Sequence, residues 1–200
     1  MTVSIYLAHL NPVTNAHVEI IEELKKESDV IVMPVIFLKK CEEVNSRRFP
    51  FSFEIREQML NAVFGDSIKI SKNYMFHAPF WRYLPPLISP YSWVLRKQIL
   101  RDISDDFFTY TGDKVEGLML KAYRLHPKIG VRKTISATSI KNKLYDAALG
   151  KKIDWEGGVP HKVVEIIKYN WKIVEKYANM KDETTSVFGM KFPKNGYWSK

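Results

Sequence analysis

The stretch NPVTNAH, residues 11–17, places a hydroxyl and an imidazole at the start of a helical pattern. Thr14 and His17 are three residues apart, so both side chains can lie on one side of the first helical turn. A helix N-terminus also presents unpaired N–H groups and a partial positive charge. Together these groups favour the binding of an anion such as a polyphosphate. The competing interpretation is that Thr14 or Asn15 only caps the helix and that His17 is a solvated residue of its first turn.

A second stretch, ISATSIK at residues 135–141, also places hydroxyls at a predicted turn between a strand and a helix. Ser136 and Thr138 supply the hydroxyls, and Lys141 adds a cation one turn later. By itself this pattern is weak evidence for a site, because serine and threonine at a helix start are usually caps.

Alternating strands and helices are predicted along most of the chain. Residues 3–8 and 30–37 are short, nearly continuous apolar runs, as expected of strands buried on both faces of a parallel sheet. An amphipathic helix lies between them and completes a crossover unit. We therefore predict an α/β fold, a Rossmann-like doubly wound parallel sheet with C-terminal helices. Such sheets bind ligands at the carboxyl ends of their strands, which is where NPVTNAH lies.

The remaining elements follow the same pattern. Helices are predicted at 51–64, 93–103, 114–125, 134–150 and 160–178, and strands at 66–71, 106–112 and 128–131. The predicted domain spans residues 1–178, with an insertion rich in aromatic residues and proline at about 74–106. Residues 179–200 are expected to form a loosely ordered tail.

Composition limits the class of protein. The 200 residues suit one domain, and the formal net charge of +9 will attract anions. Acidic residues are interleaved with the basic ones, so no basic tail marks a nucleic-acid arm and nucleic acid is not an expected partner. No apolar stretch reaches the roughly 20 residues that span a bilayer, and no secretory signal is visible, so we expect a cytoplasmic protein with no membrane partner. The single cysteine, Cys41, leaves no internal disulfide, and the histidine spacing indicates no metal site.

Taken together, the two motifs resemble those of a known superfamily. NPVTNAH resembles the HxGH or TxGH signature of the nucleotidyltransferases related to class I aminoacyl-tRNA synthetases, with threonine first as in phosphopantetheine adenylyltransferases. ISATSIK resembles the ISxTxxR motif of the same superfamily. The stretches PFSFEIREQM, TYTGDKVEGLMLKAY and DWEGGVPHKVVEIIK are similar to archaeal-type nicotinamide-mononucleotide adenylyltransferases. The resemblance covers about residues 3–65 and 107–170 and leaves the middle of the chain uncovered.

The resemblance implies that an acceptor phosphate attacks the α-phosphate of a nucleoside triphosphate and that pyrophosphate leaves. His17 is then expected to donate to the phosphate oxygens as the leaving group departs, Thr14 to orient the α-phosphate or the acceptor, and Lys141 to neutralise the β- and γ-phosphates. Mg²⁺ bound to the triphosphate is the expected cofactor. The other residues expected to bind the nucleotide are Ala8, His9, Leu10, Asn11, Asp113, Ser136 and Thr138.

Four further residues are candidates for binding the acceptor. Lys39 and Lys40 follow the second strand at the carboxyl edge of the sheet, and Arg56 lies in a helix that shares the resemblance. Trp81 can stack on an aromatic acceptor. Each residue has a structural alternative, which is solvation for the lysines, an ion pair for Arg56 and core or rim packing for Trp81.

Departures from the family's pattern leave other functions open. Ala8 and Ala16 stand where glycine is usual, which can crowd a nucleotide against the backbone. Lys141 replaces an arginine and lacks its planar fork. We predict transfer of AMP from ATP to a phosphorylated acceptor such as nicotinamide mononucleotide, by a protein that can form a homo-oligomer as family members commonly do. The alternatives are a cytidylyltransferase that uses CTP and a catalytically degenerate protein that binds nucleotide or RNA.

Overall fold

The elements of the fold are defined by a computed structural model, which describes residues 2–103, 106–112, 114–130, 136–187 and 189–199. Its strands are β1 (Val3–Ala8), β2 (Asp29–Pro34), β3 (Ile36–Lys39), β4 (Glu42–Glu43), β5 (Lys69–Ile70), β6 (Met75–His77), β7 (Phe107–Thr111), β8 (Pro127–Ile129), β9 (Thr184–Val187) and β10 (Met190–Pro193). Its α-helices are α1 (Asn15–Lys25), α2 (Phe53–Phe64), α3 (Pro90–Ile99), α4 (Lys114–Ala122), α5 (Ala137–Ala148), α6 (His161–Tyr169) and α7 (Trp171–Ala178). Short 3₁₀ turns lie at Gly65–Ser67, Phe80–Tyr83 and Glu156–Gly158.

Five parallel strands form the central sheet, in the order β5-β2-β1-β7-β8. The first strand lies in the middle, with β2 on one side and β7 on the other. The chain first builds outward through β2 and β5, then crosses to β7 and β8, so the strand order reverses beside β1. Ligands of open α/β sheets bind at such a reversal, outside the carboxyl ends of the strands. The predicted Rossmann-like doubly wound parallel sheet is therefore confirmed.

Two apolar clusters cover the two faces of this sheet. Along β1, Tyr6 belongs to one cluster, whereas Ile5 and Leu7 belong to the other, because successive side chains of a strand point to opposite faces. The Tyr6 face is covered by α1, α2, α5, α6 and α7, and the other face by α3, α4, the strands β3 and β6, and the C-terminal residues. Burial on both faces explains why the central strands are apolar throughout.

Two predicted elements are each divided in the structure. The strand predicted at 30–37 is interrupted after Pro34, and its continuation β3 leaves the central sheet to form a second one in the order β4-β3-β6. The helix predicted at 160–178 is interrupted at Asn170, whose side-chain amide donates to the carbonyl of Ile166 at 2.9 Å. An asparagine that bonds to the backbone in this way competes with continuation of the helix.

The C-terminal residues, expected to be a loosely ordered tail, instead complete the second apolar cluster. Strands β9 and β10 form an antiparallel hairpin, and Phe192 is 1% exposed. The ring of Phe192 lies 5.8 Å from those of Phe37 and Phe76. The backbone N–H of Phe80 donates to the carbonyl of Gly196 at 3.0 Å, which ties the tail to the aromatic insertion. A two-stranded hairpin needs such packing to be stable, so its own residues do not reveal it.

We expect Phe192→Ala to lower the free energy of unfolding by about 3–5 kcal/mol, because the truncated ring leaves a cavity among packed aromatic side chains. Urea unfolding followed by circular dichroism measures this change. Trp198→Ala removes a side chain that is 76% exposed, and we expect it to change the free energy of unfolding by less than about 1 kcal/mol. Equal effects of the two substitutions would contradict the buried position of the C-terminal hairpin.

Candidate active site

The loop between β1 and α1 is held in place by buried side chains. Asn11 is 1% exposed, and its side-chain amide donates to the carbonyl of Phe51 at 2.8 Å and accepts from the N–H of Phe51 at 3.2 Å. Leu10 adopts a left-handed conformation, with φ of 50°, and its side chain lies in the core beneath the loop. Of the residues predicted to bind the nucleotide, Leu10 can therefore offer only its backbone. The loop is fixed before any ligand binds.

Thr14 and His17 form a reciprocal pair at the start of α1. Thr14 is the N-cap residue, and its backbone N–H donates to Nδ1 of His17 at 3.0 Å. The hydroxyl of Thr14 lies 3.1 Å from the same nitrogen. His17 thus does what glutamate or glutamine does in a capping box, since it reaches back to the N-cap backbone. Because Nδ1 accepts a hydrogen bond, the neutral imidazole carries its proton on Nε2.

The environment of His17 keeps its ring neutral. Burial, reinforced by the positive charge of Lys141, lowers the pKa of His17 to about 4. At neutral pH the ring is therefore a hydrogen-bond donor through Nε2 and carries no net charge. The capping interpretation and the ligand-binding interpretation of this residue are compatible, because they use different nitrogens of the same ring.

Lys141 joins the second sequence motif to the first. Its side chain extends from the second turn of α5, is 6% exposed, and donates from Nζ to the backbone carbonyl of Asn11 at 3.0 Å. Burial, together with the positive charge of Arg48, lowers the pKa of Lys141 to about 7, although Asp182 opposes the shift. The two motifs, 130 residues apart, thus meet at the carboxyl edge of the sheet.

His9 lies in the same positive environment. Its ring stacks on Phe49, with centroids 4.6 Å apart, and its Nδ1 atom is buried without a hydrogen-bond partner among the described residues. Burial and neighbouring cations lower the pKa of His9 to about 3. Those cations, here called the cationic cluster, are Lys141, Arg56, Arg48 and Lys191. The cations of this cluster lower the pKa of His9 and of Lys141 because like charges repel. An anion bound near them would reduce that repulsion, so the cluster favours anion binding.

Arg56 supports the site from within the protein. Its guanidinium donates to the carbonyls of His9 at 2.9 Å and Val35 at 2.8 Å, and pairs with Glu43 at 2.9 Å. The other carboxylate oxygen of Glu43 accepts from the N–H of Phe53 at 2.7 Å. The side chain of Arg56 is fully buried. In the structure Arg56 therefore forms the internal ion pair that was the alternative to binding the acceptor. Its guanidinium N–H groups donate to Glu43 and to backbone carbonyls.

The second motif begins at a helix cap. Ser136 is the N-cap residue of α5, and its hydroxyl accepts from the N–H of Ser139 at 3.1 Å. Thr138 is exposed in the first turn of the same helix. Asp113, which was expected to contact the nucleotide, lies outside the described residues.

The other candidates for binding the acceptor lie apart from this centre. Lys39 donates to the side-chain carbonyl of Asn195 at 2.8 Å, and Lys40 is exposed in the tight turn that leads to β4. Trp81 is half exposed on a 3₁₀ turn of the insertion. Within the described part of the chain, no hydrogen bond or ring contact joins these three side chains to His17 or Lys141. Ala8, at the end of β1, accepts the backbone N–H of Val35 at 3.0 Å.

Sequence reasoning missed two members of the cationic cluster, Arg48 and Lys191. The adjacent arginines of NSRRFPF were a visible signal, since Arg47 anchors this loop and the charge of Arg48 lowers the pKa of His9 and of Lys141. Arg47 donates to the carbonyls of Tyr177 at 2.6 Å and Ala178 at 2.5 Å. Lys191 lies on β10, and only the packing of the C-terminal hairpin brings it near Lys141.

Among the described residues, no group of three or more histidine, cysteine, aspartate or glutamate side chains could hold a metal ion. Over the same residues, no helix has the length and apolar character needed to cross a membrane.

Comparison with solved structures shows similar folds at low sequence identity. A bifunctional NMN adenylyltransferase/ADP ribose pyrophosphatase from Francisella tularensis matches with a TM-score of 0.63 and 17% identity, over 88% of this chain and 52% of that one. A putative nicotinate-nucleotide adenylyltransferase from Vibrio parahaemolyticus has a TM-score of 0.55 and 13% identity, over 88% and 97% of the chains. A Plasmodium falciparum nicotinic acid mononucleotide adenylyltransferase complexed with NaAD has a TM-score of 0.50 and 16% identity, over 86% and 98%.

These likenesses show the fold. The chain spans about half the length of the Francisella enzyme that it matches. A scan against protein-family models found no match, and a search of curated proteins also found none.

We expect the depressed pKa of Lys141 to appear in the pH dependence of stability. Between pH 7 and 10.5 the unfolded chain holds a proton that the folded chain releases, so the free energy of unfolding rises with pH. This contribution is lost as the pH falls toward 7. Urea unfolding between pH 7 and 9 should give a slope that is steeper in the wild type than in Lys141→Met, by up to about 1.4 kcal/mol per pH unit.

The matched control is Lys143→Met, which removes an exposed lysine from the same helix. We expect this variant to keep the wild-type slope. Parallel curves for the wild type and Lys141→Met would show that Lys141 is not held in the buried, positively charged environment described above.

Proposed function

We propose that this protein is a nucleotidyltransferase that transfers a nucleoside monophosphate, AMP from ATP in the leading form, to a phosphorylated small acceptor such as nicotinamide mononucleotide. The observation that carries the proposal is the pairing of a neutral His17, held by Thr14, with Lys141 and the cationic cluster at the carboxyl edge of β1. The fold shared with three solved structures that are named as adenylyltransferases supports it.

In the proposed reaction, an oxygen of the acceptor phosphate forms a bond to the α-phosphorus while the bond to the pyrophosphate oxygen breaks. Such transfers need positioning and hydrogen-bond donors more than covalent help. The Nε2–H of His17 donates to the phosphate oxygens on which charge develops. Lys141, Arg48 and Lys191 hold the triphosphate, and the negative charge of the triphosphate raises the pKa of Lys141 so that this lysine is protonated in the complex.

Thr14 acts on the substrate through His17. Its side chain is fully buried, and its hydroxyl and backbone N–H both lie at hydrogen-bonding distance from Nδ1 of His17. These two bonds hold the imidazole in one tautomer and one orientation. We therefore assign Thr14 a positioning role, in place of the direct contact with the α-phosphate or the acceptor that the resemblance implied.

The nucleotide occupies the edge formed by the β1–α1 loop and the start of α5. The backbone of Ala8, His9, Leu10 and Asn11, together with Ser136, Thr138 and Asp113, forms the proposed nucleotide site. Mg²⁺ enters with the triphosphate, whose oxygens supply most of its ligands. Lys39, Lys40 and Trp81 are proposed to contact the acceptor, and Arg56 supports that region through the backbone of His9.

The full protein is incubated with Mg²⁺, each nucleoside triphosphate in turn and a panel of phosphorylated acceptors, and pyrophosphate release is followed. We expect release with ATP and nicotinamide mononucleotide. His17→Ala should reduce kcat/KM by about 10²–10³, the usual effect of removing one donor to developing charge. His161→Ala is the matched control, because the side chain of His161 is 87% exposed on α6.

Each other outcome points to a different function. Release only with CTP would assign the protein as a cytidylyltransferase. Binding of a nucleotide without turnover on any acceptor would assign it as a degenerate nucleotide-binding protein. Full activity of His17→Ala would remove His17 from the mechanism.

The positioning role of Thr14 is tested by two substitutions of similar size. Thr14→Val removes the hydroxyl and keeps the backbone N–H, so we expect kcat to fall by about tenfold with little change in the KM for the triphosphate. Thr14→Ser restores the hydroxyl and should recover most of kcat. A rise in KM at constant kcat in Thr14→Val would indicate instead that Thr14 contacts the substrate directly.

A further inference from the structure

Apolar side chains are exposed together at the tip of the insertion. Leu87 and Ile88 come from the loop before α3, and Tyr91 and Val94 from its first turns. Ile88 is 78% exposed and Val94 is 60% exposed. Single exposed apolar residues are ordinary, but a contiguous group on one element marks a contact surface. These four residues, with Lys97 and Arg101, are called the α3 patch.

The geometry of α3 places the basic residues beside the apolar ones. Val94 and Lys97 are three residues apart and Arg101 follows four residues later, so they form one stripe along the helix and the turn after it. Ser92 and Ile99 are buried on the opposite side, and the hydroxyl of Ser92 donates to the carbonyl of Tyr83 at 2.8 Å. Lys97 and Arg101 are both exposed. The patch therefore has an apolar N-terminal end and a basic C-terminal end.

Hydrogen bonds hold the apolar end of the patch in shape. Ser89 caps α3, with its hydroxyl accepting from the N–H of Tyr91 at 3.2 Å. The indole N–H of Trp93 donates to the carbonyl of Leu87 at 3.1 Å, which fastens the loop to the helix. Leu87 and Ile88 are therefore exposed on a turn that hydrogen bonds hold in place.

The charge of residues 67–101 is of one sign. The chain has 22 acidic residues, yet none occurs between Asp66 and Asp102. The same interval contains six basic residues, Lys69, Lys72, Arg82, Arg96, Lys97 and Arg101. The guanidinium of Arg82 lies over the ring of Tyr91, 5.2 Å from its centroid, so a third cation borders the patch. Asp102, which follows Arg101, accepts a hydrogen bond from the side-chain amide of Asn73 at 3.2 Å. The α3 patch itself contains two cations and no acidic residue, which complements an anionic partner.

We propose that the α3 patch binds the surface of membranes that contain anionic lipids. Leu87, Ile88 and Val94 enter the boundary between the headgroups and the acyl chains, and Lys97 and Arg101 contact the phosphate headgroups. Peripheral helices that bind in this way combine apolar side chains with lysine and arginine. The proposal concerns attachment of the protein and is independent of the reaction at His17. It departs from the expectation of no membrane partner, which rested on the lack of a spanning segment and did not consider binding at the membrane surface.

The shape of the patch favours lipid over nucleic acid. Single-stranded nucleic acid binds to flat aromatic faces that stack on bases. In the α3 patch the most exposed side chains are the aliphatic Ile88 and Val94, whereas Tyr91 and the neighbouring Trp93 are 44% and 39% exposed and each contacts another side chain. The ring of Trp93 packs edge-on against Tyr123, with centroids 5.6 Å apart, and that of Tyr91 lies beneath Arg82. Aliphatic side chains gain from contact with acyl chains and offer a base little.

Sedimentation of the full protein with vesicles tests the proposal. One set of vesicles is phosphatidylcholine alone, and the other mixes phosphatidylcholine and phosphatidylglycerol. We expect binding to the anionic set and little to the neutral set. The double variant Ile88→Asp with Val94→Asp should reduce the partition coefficient about tenfold or more, because carboxylates are repelled by the headgroups and excluded from the apolar boundary. Lys97→Glu with Arg101→Glu should reduce it comparably and weaken its dependence on salt.

Matched controls place the same changes of charge on the opposite face of the sheet. Tyr169→Asp with Leu149→Asp alters two side chains, 92% exposed at the end of α6 and 52% exposed after α5, and Lys172→Glu with Lys176→Glu reverses two exposed lysines of α7. These controls lower the net charge of the protein and leave the α3 patch intact. We therefore expect them to bind vesicles much better than the α3 patch variants and nearly as well as the wild type. Thermal unfolding and pyrophosphate release check that every variant remains folded.

Three outcomes would overturn the proposal. The first is absence of binding to anionic vesicles, and the second is binding that Ile88→Asp with Val94→Asp leaves unchanged. The third is binding to a single-stranded oligonucleotide, but not to vesicles, that the α3 patch variants abolish, which would assign the patch to nucleic acid.

Discussion

The hydrogen bond from Lys141 to the backbone carbonyl of Asn11 is the contact on which the candidate site depends. It joins α5 to the loop between β1 and α1, and it draws a cation into a region from which water is largely excluded. Asn11 is itself fixed through Phe51, and Arg56 holds His9 by its carbonyl. The loop is thus held from two sides by buried polar side chains, which is the rigidity that positioning of a triphosphate requires.

Burial gives the site an unusual electrostatic state. The pKa of His17 is lowered to about 4 and that of Lys141 to about 7, so the protein without ligand contains a neutral imidazole donor beside a partly protonated lysine. An anion that enters compensates the positive charge of Arg48 and Lys191 and favours protonation of Lys141. Affinity for phosphate and the protonation of the site are therefore coupled. A planar arginine in place of Lys141 would be charged at all relevant pH values and would not show this coupling.

The arginines near the site have two different roles. Arg47 and Arg56 hold neighbouring segments in place, whereas Arg48 contributes positive charge. Arg56 pairs with Glu43 and donates to three backbone carbonyls. Arg47 donates to backbone carbonyls at the end of α7 and packs over Tyr145, with its guanidinium 4.3 Å from the ring centroid. The ion pair between Arg48 and Asp182 is long, at 3.5 Å, and the positive charge of Arg48 lowers the pKa of Lys141. Residue type alone did not separate these roles. The difference depends on which side chains are desolvated, and that follows from packing of the loop against α7 and the C-terminal hairpin.

The sequence by itself determined the central fold and the two motifs. Apolar runs at β1 and β2, the amphipathic α1 and the order of elements were sufficient to predict a doubly wound parallel sheet, because periodicity reflects which faces are buried. Thr14, His17 and Lys141 were singled out as candidates because a hydroxyl, an imidazole and a cation stand near helix starts and because the two motifs together resemble those of a known superfamily. Only the tertiary structure decided that Thr14 holds Nδ1 of His17, that Arg56 serves an internal ion pair, and that β10 brings Lys191 to the site. Those roles depend on burial and on contacts between residues distant in the chain, which local patterns do not encode.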